Sequence, residues 1–104
     1  MKDDTKYMYL EQDIIGWAKV RGIFATGTRD GQAKKMLEEA GEVVVEVAKG
    51  SQLYVAKEIG DVLVTCILLA EMYGFTTDDC LSAAWDTIKN RKGKMVDGQF
   101  VREK

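Results

Sequence analysis

The sequence contains no histidine and no proline, and only two cysteines among its 104 residues. The absence of histidine excludes Ser-His triads, imidazole general bases and histidine-ligated metal sites. Two cysteines, Cys66 and Cys80, are too few for a four-ligand structural zinc site or a disulfide framework. Any catalysis must therefore rest on carboxylates, lysines, arginines, hydroxyl groups or a bound metal ion.

The balance of charge and hydropathy excludes further classes of protein. A net charge of −2 provides neither the basic excess of a nucleic-acid-binding domain nor a polybasic membrane patch. The N-terminal segment lacks the apolar core of a signal peptide, and no apolar stretch is long and uncharged enough to span a bilayer. The hydrophobic fraction of 46% is sufficient for a core. We therefore expect a single domain over residues 1–104, soluble and cytoplasmic.

Glycines and capping residues divide the chain into four predicted helices. The first covers about residues 5–20, and a polar loop follows over residues 21–30. The second runs from an N-cap at Asp30 to Lys49, and the third from an N-cap at Ser51 to residue 73. The fourth begins at Thr76 or Thr77 and ends in the basic run 89–92, and a type I′ hairpin is predicted around residues 97–98. The expected fold is an all-α, four-helix bundle with a short extended tail.

The third predicted helix indicates self-association. Residues 62–70 are apolar on nearly every side, which is typical of a helix that is buried all round. A single chain of four helices would leave one side of this helix in water. We therefore expect an oligomer that forms through this helix and the valines at positions 43–45.

Two pairs of acidic residues, Glu39 with Glu42 and Glu58 with Asp61, are each spaced three residues apart on a predicted helix. This spacing places each pair on one helix face, and a tight connection at Gly50 makes the helices antiparallel neighbours. Facing carboxylates are costly unless their pKa values rise or a cation neutralises them. Mg²⁺ fits such oxygen ligands and retains positions for water or phosphate.

A simpler interpretation remains open, in which both acidic faces are solvated. The carboxylates would then form salt bridges with lysines of the same helices, namely Lys34, Lys35, Lys49 and Lys57. Gly41 and Gly60 lie inside the acidic motifs, where glycine costs about 1 kcal/mol relative to alanine. Either they allow the two helices to approach closely, or the helices merely tolerate glycine at these positions.

The segment 37–42, Leu-Glu-Glu-Ala-Gly-Glu, together with 58–61, Glu-Ile-Gly-Asp, resembles the E-E-x-x-E and E-x-x-D motifs of the MazG-like, all-α nucleoside triphosphate pyrophosphohydrolases. Lys35 and the ending 88–101 are also similar to short, single-domain phage and bacterial members. The resemblance implies a helical bundle that forms dimers or tetramers and converts NTP and water to NMP and pyrophosphate with Mg²⁺, Mn²⁺ being an alternative ion. It implies that Glu39, Glu42, Glu58 and Asp61 ligate the metal. Glu38 would be a further ligand or would help to activate the attacking water.

Candidate substrate-binding residues surround these motifs. Lys35, Lys89, Arg91 and Lys92 could hold phosphate groups, although the last three also suit the C-terminus of a helix and solubility. Trp17 could stack on a base, although an aromatic residue on an amphipathic helix is more often part of the core. The expected role is housecleaning of the nucleotide pool, with a narrower dUTP, dCTP or phosphoribosyl-ATP pyrophosphatase as a variant. The alternatives are a metal-binding helical oligomer without activity and a partner-binding scaffold.

Overall fold

The computed structural model describes residues 5–104 and begins with helix α1, Thr5–Val20, as predicted. The segment predicted as a loop contains a further short helix, α2, Ile23–Thr26, so this part of the prediction is wrong. Gly22 has a φ of 78°, a left-handed conformation that turns the chain from α1 into α2. The predicted N-cap Asp30 is also wrong, because Thr28 caps the next helix and accepts a hydrogen bond from the Gly31 N–H at 3.0 Å.

Helices α3, Arg29–Lys49, and α4, Gln52–Met72, form the most extensive helix pair in the described chain. Gly50 ends α3 in a left-handed conformation with φ 79°, and its N–H donates to the carbonyls of Glu46 and Val47. Ser51 occupies the predicted N-cap position of α4, but its side chain makes no capping hydrogen bond. This two-residue connection makes α3 and α4 antiparallel neighbours, as the acidic spacing required.

Helix α5, Thr77–Ile88, begins with a capping box in which Thr76 and Asp79 exchange hydrogen bonds. Its first residue is also held by α1, because the Thr77 N–H and hydroxyl both donate to buried Glu11, at 3.2 and 2.6 Å. The Tyr7 hydroxyl lies 2.7 Å from the Thr77 hydroxyl. The helix ends at Ile88, so the basic run 89–92 lies beyond its last turn and not within it.

The predicted C-terminal hairpin is confirmed. Strands β1, Gly93–Val96, and β2, Gln99–Arg102, pair antiparallel, with Val96 opposite Gln99. Asp97 and Gly98 have φ values of 50° and 81°, which is the pattern of a type I′ turn. Every residue from Asp78 to Lys104 is exposed, so α5 and the hairpin form an arm with little burial of their own.

The apolar core of the described chain is small. The buried hydrophobic residues are Ala18, Ile67, Leu68 and Ala70, whereas α3 has no buried residue. Half-buried Cys66 is a free thiol that contacts the Met36 sulfur at 3.6 Å, and burial raises the pKa of that thiol. The all-α architecture is confirmed with five helices instead of four, and self-association stays a prediction. None of the helices in residues 5–104 is long and apolar enough to cross a membrane.

Candidate metal centre

Three carboxylates from α3 and α4 meet at the middle of the helix pair. Glu39, Glu58 and Asp61 each contribute one oxygen atom, and these atoms lie within 4.8 Å of one another. Their side chains are partly buried, with exposed fractions of 13%, 13% and 34%. The helical spacing read from the sequence therefore brings these three carboxylates together, and they are the oxygen ligands that a hard divalent ion prefers.

Glu42 lies at the exposed rim of the same cluster. Its pKa is raised above the ordinary value, chiefly because its carboxyl shares a hydrogen bond with Glu58. The negative charge of Glu39 raises this pKa further. Glu42 therefore interacts electrostatically with two of the three converging carboxylates, Glu39 and Glu58, although the role of all four residues as metal ligands stays a prediction.

Two lysines provide the cluster with counter-charges from its own helices. The Lys57 ammonium lies 2.8 Å from Asp61 and 3.6 Å from Glu58, and the Lys35 ammonium lies 3.4 Å from Glu39. Hydrogen bonds to Asp61 and Glu39, respectively, raise the pKa of Lys57 and of Lys35. The two lysine side chains are more than half exposed, so water and salt screen the ion pairs and limit their contribution to stability.

The salt-bridge interpretation therefore holds only in part. Lys35 and Lys57 pair with the cluster, whereas Lys49 pairs with Glu46 at 3.6 Å, and no ion pair of Lys34 is present among residues 5–104. The two lysines leave one carboxylate oxygen of the cluster without a partner. When Glu42 is ionised and cannot donate a hydrogen bond to Glu58, the buried Glu58 Oε2 has no partner in the described chain, because Lys57 reaches the other oxygen of that carboxylate. A buried carboxylate oxygen without a partner is costly, and a cation bound between the three carboxylates would satisfy it.

A cavity of about 270 Å³ opens beside the carboxylates. Glu39 and Asp61 line one part of it, and Trp17, Ile23, Val64 and Leu68 form its apolar walls. Lys35, Gln32 and Thr65 complete the lining. A ligand with a metal-binding anionic end and a flat apolar end matches this arrangement.

Ile23 and Gln32 line the cavity but were not predicted as site residues. Ile23 belongs to the helix α2 that was not predicted. Gln32 could have been found, because it lies three and seven residues before Lys35 and Glu39 and therefore shares their face of α3. Trp17 is 46% exposed, and the Arg21 guanidinium covers one face of its ring at 4.9 Å, so stacking could use only the other face.

Several predicted site residues lie outside the cluster. The exposed Glu38 carboxylate pairs with Lys35 at 3.5 Å, and it is not one of the three oxygens that converge. Arg91 and Lys92 line a separate open cleft of about 740 Å³ next to the hairpin, and Lys89 pairs with Asp86 at 3.2 Å. Within one chain, none of these three cations lines the acidic cavity.

Of the two interpretations of the motif glycines, close approach of the helices does not apply within one chain. A Cβ atom at Gly41 or Gly60 would meet nothing within 4 Å, so neither residue permits a close contact between α3 and α4. A single chain therefore tolerates these glycines without needing their small size.

An antiparallel helix pair that gathers carboxylates beside an apolar cavity defines an all-α protein with a candidate oxygen-ligand metal centre. The family model described as the MazG nucleotide pyrophosphohydrolase domain matches residues 28–96, a segment that contains α3, α4, α5 and both acidic pairs. The chain belongs to this family, as the motifs predicted. Searches of curated proteins and of solved structures found no match.

Proposed function

We propose that this protein is a Mg²⁺-dependent nucleotide pyrophosphohydrolase that converts an NTP or dNTP and water to the monophosphate and pyrophosphate. The partnerless, buried Glu58 Oε2 within a carboxylate cluster, in a chain of this family, carries the proposal. Glu39, Glu42, Glu58 and Asp61 would hold Mg²⁺ or Mn²⁺. When bound, the ion would offset the charge of the polyphosphate and polarise its phosphoryl oxygens.

The remaining roles fall to residues around the cluster. We assign Glu38 to accept the proton of the attacking water, because it is a carboxylate next to Glu39 and the chain has no histidine for this task. Lys35 would attract a phosphate oxygen at the edge of the cluster. Trp17 would stack its uncovered face on the base. This chemistry suits removal of unwanted nucleotides from a cytoplasmic pool.

The test is a panel of NTPs and dNTPs, including dUTP, dCTP and phosphoribosyl-ATP, with Mg²⁺ or Mn²⁺. We expect release of pyrophosphate, loss of activity in EDTA, and a loss of at least about 100-fold in Glu39→Gln, as for removal of a group that acts in the transition state. Glu46→Gln is the matched control, because Glu46 lies on the same helix, pairs with Lys49 and is not one of the three carboxylates that converge. Failure to release pyrophosphate from any substrate would refute the proposal.

We also propose that the site is completed by a second copy of the chain. Residues 89–104 contain six Lys or Arg and two Asp or Glu, whereas the whole chain carries −2. This basic segment belongs to the exposed arm, and the rest of the chain is strongly acidic. Charge complementarity therefore favours a homodimer or homotetramer in which Lys89, Arg91 and Lys92 of one copy reach the acidic cavity of another.

Mixing two inactive variants tests this arrangement. Glu39→Gln lacks a predicted ligand, and the double variant Arg91→Ala, Lys92→Ala lacks predicted phosphate contacts. If the sites combine residues from two copies, a mixed oligomer contains some sites with both sets intact and regains part of the activity. A mixture that stays as inactive as its components, despite exchange of subunits, would place all site residues in one chain.

A second candidate is a helical scaffold in which the acidic cluster has no catalytic role. The pairing of Lys35 and Lys57 with the cluster supports it, because these lysines already neutralise part of the charge. Thermal melts with metal alone, nucleotide alone and both together distinguish the candidates. The scaffold predicts no stabilisation by nucleotide beyond that by metal, whereas the enzyme predicts a further rise with both.

A further inference from the structure

We propose that Gln32 contacts the edge of the nucleotide base and favours cytosine and adenine, which carry an amino group at position 4 of the pyrimidine or position 6 of the purine, over bases with a carbonyl group there. This inference rests on the proposed nucleotide function. It concerns the apolar end of the cavity, where one long hydrogen bond to Thr65 orients the Gln32 carboxamide.

Gln32 lies on the same helix face as one of the cluster carboxylates. Gln32 and Glu39 lie on one face of α3 and are separated by about 10 Å along the helix axis, from seven residues at about 1.5 Å each. On the facing helix α4, Thr65 lies one turn beyond Asp61, and the Gln32 side chain contacts Thr65. A nucleotide whose phosphates lie at Glu39 and Asp61 would therefore direct its base towards Gln32.

The cavity is small enough to select which part of a nucleotide enters it. A volume of about 270 Å³ is slightly below the 300–1,000 Å³ typical of pockets for drug-sized ligands. It has room for a base but not for a complete nucleoside triphosphate. Trp17 and Ile23 supply apolar walls of the kind that base faces prefer. The edge of the base would then face the polar residues at this end of the cavity, Gln32 and Thr65.

The Gln32 carboxamide directs its nitrogen towards Thr65 and leaves its oxygen free. The Gln32 Nε2 donates a long hydrogen bond of 3.4 Å to the Thr65 carbonyl oxygen. Because a backbone carbonyl can only accept, Nε2 must face it, and Oε1 is left as an acceptor. No residue of the described chain donates to Oε1. The Thr65 hydroxyl donates to the Val62 carbonyl at 2.6 Å, so its proton is committed elsewhere.

The free acceptor oxygen of Gln32 predicts a preference between bases. When the phosphates are held at the carboxylates, the exocyclic group at position 4 of a pyrimidine or position 6 of a purine is the outermost atom of the base edge. The Gln32 Oε1 would accept a hydrogen bond from an amino group there, whereas the carbonyl of uracil, thymine or guanine would meet it as a second acceptor. A buried polar group that is left unpaired disfavours the wrong ligand.

The experiment is calorimetric binding of the α,β-methylene analogues of CTP, ATP, UTP and GTP with Mg²⁺, which does not depend on turnover. We expect the wild type to bind the CTP and ATP analogues more tightly than the other two. Gln32→Met, which keeps the length of the side chain but has no acceptor oxygen, should lower this ratio roughly 5- to 100-fold, the range for loss of a base-edge contact. Gln52→Met is the matched control at the exposed start of α4 and should keep the wild-type ratio.

A second variant guards against misfolding of the first. Gln32→Glu keeps an acceptor oxygen, so it should bind all four analogues less tightly because of its charge but preserve their ranking. A wild type without preference for the amino bases, or a Gln32→Met variant with the wild-type ranking, would overturn the role of Gln32. Pyrophosphate release measured in parallel separates the two proposals. A correct ranking without release would refute the hydrolysis alone, and release without the ranking would refute the role of Gln32 alone.

Discussion

Replacing Glu58 by glutamine should change stability in opposite directions without and with Mg²⁺. Glu58 is the best residue for this test because its Oε2 is buried without a partner, and glutamine has nearly the same shape. Without metal, the variant removes one of three charges that repel one another. With metal, it removes a ligand that the wild type would use. A structural salt-bridge cluster without metal would not produce this reversal.

The size of the effect follows from the distances. Glu58 has two carboxylate neighbours, Glu39 and Asp61, with oxygen atoms no more than 4.8 Å away, and together they repel its charge by about 7 kcal/mol at an effective dielectric constant of 20. The attraction of Lys57, at 3.6 Å from Glu58 Oε1, offsets about 5 kcal/mol of this repulsion, and we expect a net gain of about 2 kcal/mol for the variant. In a domain of this size, 1 kcal/mol raises Tm by about 4–8 °C. Mg²⁺ at about 100 times its Kd would stabilise the wild type by about 2.7 kcal/mol and the variant much less.

Thermal melts in EDTA and in saturating Mg²⁺, at one protein concentration, provide the measurement. Glu46→Gln is the control, because Glu46 is similarly half-buried on α3 but pairs with Lys49. We expect Glu58→Gln to melt above the wild type in EDTA and below it in Mg²⁺, while Glu46→Gln keeps the full Mg²⁺ shift. If Glu58→Gln melts lower in EDTA and retains the full shift, the cluster does not bind the ion and the reasoning fails.

Two further predictions concern proton binding and helix capping. Without metal, the free energy of unfolding should fall as pH rises from 4.5 through the raised pKa of Glu42, because the folded state binds the Glu42 proton more tightly than the unfolded state. Thermal melts in EDTA at a series of pH values should show this decrease, and Glu42→Gln should reduce it. Thr76→Ala should cost about 1 kcal/mol in urea unfolding because it removes the capping box of α5, whereas Ser51→Ala should cost little because Ser51 makes no capping hydrogen bond. Equal losses in the two variants would contradict the capping argument.

The sequence predicted the acidic cluster well because each step depended on local geometry. The three-residue spacing defines a helix face, and a left-handed glycine at position 50 fixes a two-residue connection between α3 and α4. The hairpin was equally accessible, since Asp97 and Gly98 suit a type I′ turn. Helix α2 was missed because its four residues are too few to show a helical period.

The position of the basic segment, residues 89–104, could not be predicted from local sequence patterns. The direction of α5 depends on hydrogen bonds between Glu11 and Thr77, residues that are 66 positions apart. No spacing rule connects a carboxylate in the first helix to the first residue of the last one. The sequence therefore identified Lys89, Arg91 and Lys92 as cations without indicating that they lie away from the acidic cavity of their own chain.

The charges at the cluster indicate how the apo site and the metal-bound site would differ. With all four carboxylates ionised, Lys35 and Lys57 neutralise half of the charge and leave a deficit equal to one divalent ion. Without metal, the raised pKa of Glu42 shows the alternative remedy, which is to retain a proton. A bound Mg²⁺ would favour release of that proton and weaken the hold of the carboxylates on both lysines. Lys35, at the edge of the cavity, would then be available to a phosphate group, so the same lysine would balance charge in the apo protein and bind substrate in the loaded one.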